Sequence, residues 1–100
     1  MDQTSLVQYV LELTRAIDQA ARLADWSEAA RLIDVRSPYL MSITAEQTSA
    51  SLELVRQIQT LDAAVFDNAQ TTQTELQTEY RAAMARANAA SAYQQAAARF

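Results

Sequence analysis

The residue types that carry most enzyme chemistry are missing from this chain. Its 100 residues include no His, Cys, Gly or Lys. Without His and Cys there is no ordinary zinc site, thiol nucleophile, disulfide or imidazole base. Without Gly there is no loop that cradles a phosphate, and without Lys there is no Schiff base. Paired carboxylates are the remaining candidates for chemistry.

The best-placed carboxylates are Glu75 and Glu79, one turn apart on a predicted helix. This is the spacing of two metal ligands or of a glycosidase pair, but nothing near them in the sequence would desolvate them, so a solvated helix face explains them better. A di-iron site in a helical bundle would also need Glu-x-x-His motifs. We therefore predict no enzymatic activity, no metal site and no cofactor.

Charge divides the chain into two parts. Residues 1–79 hold five Arg and all 12 acidic residues, a net charge of −7, whereas residues 80–100 hold three Arg and no acid, a net charge of +3. An acidic body disfavours direct binding to nucleic acid. The start of the chain lacks a basic leader, and no apolar run approaches the ~20 residues of a membrane span. We expect a cytoplasmic protein without membrane insertion.

Apolar spacing predicts two helices before residue 44. The first runs from about Thr4 to Leu23, with Leu11 as an apolar exception on its polar side. Asp25 and Glu28 form a variant capping box that starts the second. Pro38 predicts a kink there, with a break near Arg36 as the alternative. The expected buried positions are Leu6, Val10, Leu13, Ile17, Ala20 and Ala24 in the first helix, and Trp26, Ala29, Ala30, Ile33 and Leu40 in the second.

A long third helix is predicted from Ser51 to Ala87, roughly 55 Å at ~1.5 Å per residue. The other two helices cannot cover that length, so its end overhangs, binds another chain or folds back, and Asn88 is the best candidate for a break. The predicted fold is all-α: an antiparallel three-helix up-down-up bundle over residues 1–88. A short accessory helix follows over 89–100, with Tyr93 and Phe100 as its large apolar anchors.

Two apolar ridges lie beside the predicted core faces. Antiparallel packing would bring the end of the second helix beside the start of the third, so the ridges could flank one shared partner-binding groove. A three-helix core with wide apolar faces is the other explanation. The ridges consist of Leu32, Val35, Tyr39 and Ile43 in the second helix, and of Leu52, Val55 and Phe66 in the third.

The order of these features resembles the family of flagellar protein FliT export chaperones, over nearly the whole chain. Two departures are Pro38, within a helix that is often uninterrupted, and Thr71-Thr72 in place of leucines often found there. The segments that carry the resemblance are Ala24-Asp25-Trp26-Ser27-Glu28, Tyr39-Leu40-Met41-Ser42-Ile43, Phe66-Asp67-Asn68-Ala69-Gln70 and Ala89-Ala90-Ser91-Ala92-Tyr93.

The resemblance implies a small cytoplasmic chaperone that binds the flagellar filament-cap protein and delivers it to the type III export apparatus. Members also contact the export ATPase and the export-gate membrane protein, and some bind the flagellar master transcriptional regulator. By position, the surface of the second and third helices would be the client site. Tyr93 matches an aromatic that anchors a C-terminal helix able to mask that surface. The alternative function is a structural helical module that forms a constitutive homodimer.

Overall fold

The computed structural model describes residues 1–98, which form three α-helices with short connections and no β-strand. The helices are α1 (Gln3–Arg22), α2 (Trp26–Met41) and α3 (Ser49–Ala97). The all-α prediction is confirmed for this part of the chain. No helix within it is both long enough and apolar enough to cross a membrane.

Asp2 precedes α1 and caps it, because its carboxylate accepts a hydrogen bond of 2.7 Å from the Ser5 N–H. Its buried face is wider than the single predicted seam. Val7 and Leu11 are fully covered, whereas Leu13 is only half-buried and Ala24 is exposed. The reason is that α1 contacts both other helices, so two adjacent stripes of its surface are buried.

The turn from α1 to α2 is tight. Ala24 has a φ of +57°, a left-handed conformation that an L-residue other than Gly adopts at a cost. Asp25 then accepts a hydrogen bond from the Glu28 N–H at 3.2 Å, which confirms it as the cap of α2. The second half of the predicted capping box is wrong, because the Asp25 N–H donates to the Ala20 carbonyl at 2.9 Å and the Glu28 carboxylate accepts hydrogen bonds from Arg31.

Two apolar clusters form the core of residues 1–69, the first compact unit of the chain. Side-chain hydrogen bonds mark the ends of the helices: Gln3 donates to the Ser42 carbonyl, and Asn68 donates to the Ala21 carbonyl. The first cluster joins Leu6, Val7, Val10 and Leu11 to Ile58, with Leu40, Ile43, Leu54, Val55 and Leu61 packed against it. The second contains Ile17, Ala20 and Ala29, with Trp26, Leu32 and Val65 packed against it.

α2 continues through Pro38 to Met41, so the alternative of a break near Arg36 is not observed. Its predicted core face is only partly buried. Ala29 is fully buried, Trp26 and Leu40 are half-buried, and both Ala30 and Ile33 are exposed.

α3 is one helix from Ser49 to Ala97 and does not break at Asn88. Alanines surround Asn88, and their high helix propensity outweighs the modest preference of a single Asn for a helix end. A separate helix over 89–100 is therefore not observed, and Phe100 lies outside the described residues. The second compact unit begins at Gln70. Of its described side chains, Thr72 is half-buried and the others are exposed.

Candidate functional site

An open apolar groove runs between α2 and α3 in the first compact unit, with a volume of about 390 Å³. We call it the Trp26 groove. Eight of its ten lining residues are apolar, and the two polar ones, Arg36 and Asp62, are paired with each other. The lining residues are Ile17, Trp26, Ala29, Ala30, Ile33, Arg36, Asp62, Val65, Phe66 and Ala69.

Helical spacing places these residues in two facing rows. On α2 the row advances from Trp26 by three, four and seven positions, and on α3 it advances from Asp62 by the same steps, which keeps each row on one face. Small residues, including Ala29 and Ala69, leave room between the two helices. Larger side chains, among them Ile33 and Phe66, form the edges of the groove, and Phe66 is 62% exposed.

One end of the groove contains a buried cation. Arg36 is only 8% exposed, and its Nη1 donates to Thr14 Oγ1 at 3.0 Å and to Asp62 Oδ1 at 2.7 Å. This contact ties α2 to both other helices. The Asp62 side chain is 38% exposed, so it pairs with Arg36 while remaining partly hydrated.

Two donors at the groove have no acceptor within the described structure. They are the Nε1 of Trp26 and the Nε of Arg36, and both atoms are buried. A buried N–H without a partner carries a desolvation penalty, so these two groups lower the free energy of unfolding. Neither side chain supplies chemistry beyond hydrogen bonding. Within residues 1–98 no cluster of acidic, His or Cys side chains could hold a metal ion.

The charges at the start of α2 lie on an exposed surface. Arg31 Nε donates to Glu28 at 2.8 Å, and this hydrogen bond lowers the pKa of the Glu28 carboxyl from its ordinary value. The same contact raises the pKa of Arg31. α2 therefore carries an ion pair near its start, with Glu28 in the first turn at the positive end of the helix dipole.

The seven predicted partner-binding residues fall into three groups. Leu32 packs on the second core cluster, and Ile43 and Val55 pack on the first. Val35, Tyr39 and Leu52 are exposed, at 37% to 41%. Phe66 is the member of the seven that lines the Trp26 groove.

Two predicted site residues are tyrosines outside the Trp26 groove: Tyr39 of the α2 ridge and Tyr93, the predicted tail anchor. The Tyr39 ring packs edge-on against Tyr9 of α1, with ring centroids 4.9 Å apart, so this end of the α2 ridge faces α1. In the second unit Tyr93 is 80% exposed.

Sequence reasoning placed the α2 side of the groove in the core. Trp26, Ala30 and Ile33 follow the helical period that normally marks buried residues, and the pattern alone does not show how far α3 stands from them. Arg36 was missed as well. The available signal was its position three residues after Ile33, a charge on an otherwise apolar face.

The sequence matches the model of a known protein family. The family model of the flagellar protein FliT matches residues 4–95, which is nearly the whole chain. No curated protein and no solved structure matches it significantly. With a match of this extent, the chain belongs to the FliT family of flagellar proteins.

Proposed function

We propose that this protein is a cytoplasmic export chaperone of the flagellar type III system, and that it binds the filament-cap protein in the Trp26 groove. The observation that carries the proposal is the groove itself, which is apolar, open and bordered by the exposed side chains of Ile33 and Phe66. Apolar side chains gathered at a surface are typical of a binding site for another protein.

The geometry favours a helical client. A groove between two helices accepts the apolar stripe of an amphipathic helix, whose side chains enter at three- and four-residue intervals. Ala29, Ala30 and Ala69 have small side chains, so the backbone of such a helix could approach closely. Arg36 and Asp62 already neutralise each other, so the client segment needs no charge at that end.

Delivery is the second part of the proposal. Membership of the FliT family and the motif resemblance support contacts with the export ATPase and the export-gate protein, and with the flagellar master transcriptional regulator. The contacts within residues 1–69 support an up-down-up arrangement of the three helices. Gln3 bonds to Ser42 at the end of α2, and Asn68 bonds to Ala21 at the end of α1.

Two matched substitutions test the binding site. Ile33 and Leu52 are 40% and 41% exposed, but only Ile33 lines the Trp26 groove, whereas Leu52 belongs to the ridges predicted from sequence. We expect Ile33→Ala to weaken binding of a C-terminal segment of the filament-cap protein by ~1–2 kcal/mol, as for a peripheral anchor. Leu52→Ala should bind as the unmodified protein does, measured by isothermal titration calorimetry.

If Leu52→Ala weakened binding and Ile33→Ala did not, the client site would lie on the ridges predicted from the sequence. Equal loss in both variants would indicate a surface that includes both regions. If the unmodified protein does not bind the segment, the chaperone proposal itself fails. Thermal melts of both variants are needed as a control, because each substitution removes a partly buried side chain.

A further inference from the structure

A second cleft lies between α1 and α3 in the first compact unit, and it shares no lining residue with the Trp26 groove. Its volume is about 370 Å³. We call it the Arg15 cleft. Arg15 comes from α1, and the other members share one face of α3, because they follow one another by three, one, three and one positions. The lining residues are Arg15, Glu53, Arg56, Gln57, Thr60 and Leu61.

Arg15 differs from the other arginines of the first unit in having no carboxylate partner. Residues 1–69 contain five arginines and ten acidic side chains. Within the part of the chain that the structure describes, the other four arginines each form an ion pair. Arg15 instead donates from Nη2 to the neutral Oε1 of Gln57 at 3.5 Å, which is longer than an ordinary N–H···O bond. Its exposed guanidinium is therefore open to a carboxylate from another molecule.

The charge balance of the Arg15 cleft fits an anion with a single charge. Glu53 pairs with Arg56 at 3.4 Å, and these side chains are 60% and 72% exposed, so the pair remains hydrated. Two arginines and one glutamate leave a surplus of one positive charge. A carboxylate carries one negative charge and matches the guanidinium fork with two parallel hydrogen bonds. A phosphate group carries up to two charges and would be repelled by Glu53.

Leu61 gives the cleft an apolar side. It is half-buried and packs against the first core cluster. Because Leu61 follows Gln57 by one turn of α3, the apolar contact and the polar donors lie one helical turn apart. A partner helix with an acidic and an apolar residue one turn apart has the complementary pattern. The Thr60 hydroxyl donates to the Arg56 carbonyl at 3.0 Å, so the guanidinium groups and the Gln57 amide are the donors for a ligand.

We infer that the Arg15 cleft binds an acidic helical segment of a partner protein, whose carboxylate pairs with Arg15 while a neighbouring apolar side chain contacts Leu61. The inference goes beyond the proposed function, because it uses neither the Trp26 groove nor the filament-cap protein. An exposed ion pair is weak and is screened by salt, so the contact is reversible and its affinity falls as the salt concentration rises.

Arginine side-chain NMR of the full chain tests the contact, since the chain has eight arginines and each gives one Nε–H signal. The probe is a blocked, alanine-based helical peptide with one Glu and one Leu four positions apart, and the matched peptide has Gln in place of Glu. At low salt the Glu peptide should shift the signals of Arg15 and Arg56. The signal of Arg22, which pairs with Asp18 at 2.8 Å, should stay in place. The Gln peptide should shift none of them.

Three substitutions separate recognition of the carboxylate from a general effect of charge. Arg15→Gln should abolish binding of the Glu peptide. Arg22→Gln is the matched control, because it makes the same charge change on α1 outside the cleft, and it should leave the dissociation constant unchanged. Glu53→Gln should lower the dissociation constant severalfold, because it removes the carboxylate that competes for Arg56.

The inference is overturned if the Glu peptide leaves Arg15 in place, or if both peptides shift it equally. The same holds if Arg22→Gln loses binding as Arg15→Gln does, or if Glu53→Gln binds no more tightly. Inorganic phosphate that binds as tightly as the Glu peptide would indicate a site for small oxyanions instead. Arg15→Gln should still bind the filament-cap segment, so this inference and the proposed function can fail separately. Circular dichroism checks that every variant keeps its helix content.

Discussion

Removing either partner of the Arg36–Asp62 pair should have unequal effects on stability. Asp62→Ala leaves the Arg36 guanidinium, 8% exposed, with Thr14 as its one remaining hydrogen-bond acceptor. Arg36→Met instead removes the buried charge and keeps most of the side-chain volume. The partner left behind, Asp62, is 38% exposed and can be hydrated. Thr14 keeps its bond of 2.7 Å to the Val10 carbonyl.

The magnitude follows from this asymmetry. Breaking a fully buried pair costs ~3–5 kcal/mol, and an exposed pair contributes ~0–1 kcal/mol. Because Asp62 is partly hydrated, we place Asp62→Ala between these limits, at about 2 kcal/mol. Arg36→Met should cost less than ~1 kcal/mol, since replacing a buried charge by an apolar side chain is often neutral. A loss of about 2 kcal/mol corresponds to a fall in Tm of roughly 8–16 °C for a domain of this size.

Urea unfolding followed by circular dichroism provides the assay, applied to both single variants and to the double variant. In the Arg36→Met background, Asp62→Ala should cost almost nothing, because no buried cation remains to lose its partner. Arg36→Met as costly as Asp62→Ala would contradict the reasoning, and would show that the ion pair itself stabilises the fold. Additive costs in the double variant would show that the two residues act independently.

The remaining predictions concern the turn, the start of α2 and the groove. Ala24→Gly should raise the free energy of unfolding by ~0.5–1 kcal/mol, because Gly adopts the φ of +57° without strain; unchanged urea unfolding would contradict this. The Glu28 carboxyl should titrate below its ordinary pKa of 4.5 in a carbon-13 NMR titration, and Arg31→Gln should raise that pKa. Because the pKa of Glu28 is lower in the folded state than in the unfolded state, its ion pair with Arg31 stabilises the fold fully at a pH above the unfolded-state pKa. That stabilisation is lost as the pH falls through the folded-state pKa. Trp26, the single tryptophan, should shift its fluorescence to shorter wavelength when a client covers the groove, and Phe66→Ala should weaken that response.

The helices were largely predictable from the sequence because their signals are local. The cap at Asp25 and the apolar period of α1 depend on residues three or four positions apart, and both are present in the structure. The end of α3 was not predictable from Asn88, since a single residue with a weak preference competes with a run of alanines. Leu11 lies among polar positions of α1 in the sequence, yet it is buried in the structure. Its burial was not predictable, because it depends on how many helices contact α1, which is a property of the whole fold.

The candidate site was predictable only in part. The sequence indicated surplus apolar surface on the second and third helices, and Phe66 belongs to the groove found there. It could not indicate which α2 face remains open, because Ile33 and Leu32 are adjacent and equally apolar. Which of these two residues faces the groove depends on the rotation of α2 about its axis. Arg36 contributes to that rotation through its bonds to Thr14 and Asp62, which join residues far apart in sequence.

The most direct test of the proposed client site is an isoleucine-methyl NMR titration with the C-terminal segment of the filament-cap protein. The chain has four isoleucines, so four resolved signals cover both core clusters. Ile17 and Ile33 line the Trp26 groove, whereas Ile43 and Ile58 belong to the other cluster. A client site in the Trp26 groove predicts that the signals of Ile17 and Ile33 shift on titration while those of Ile43 and Ile58 stay in place. A shift of Ile43 with Ile33 unchanged would contradict it.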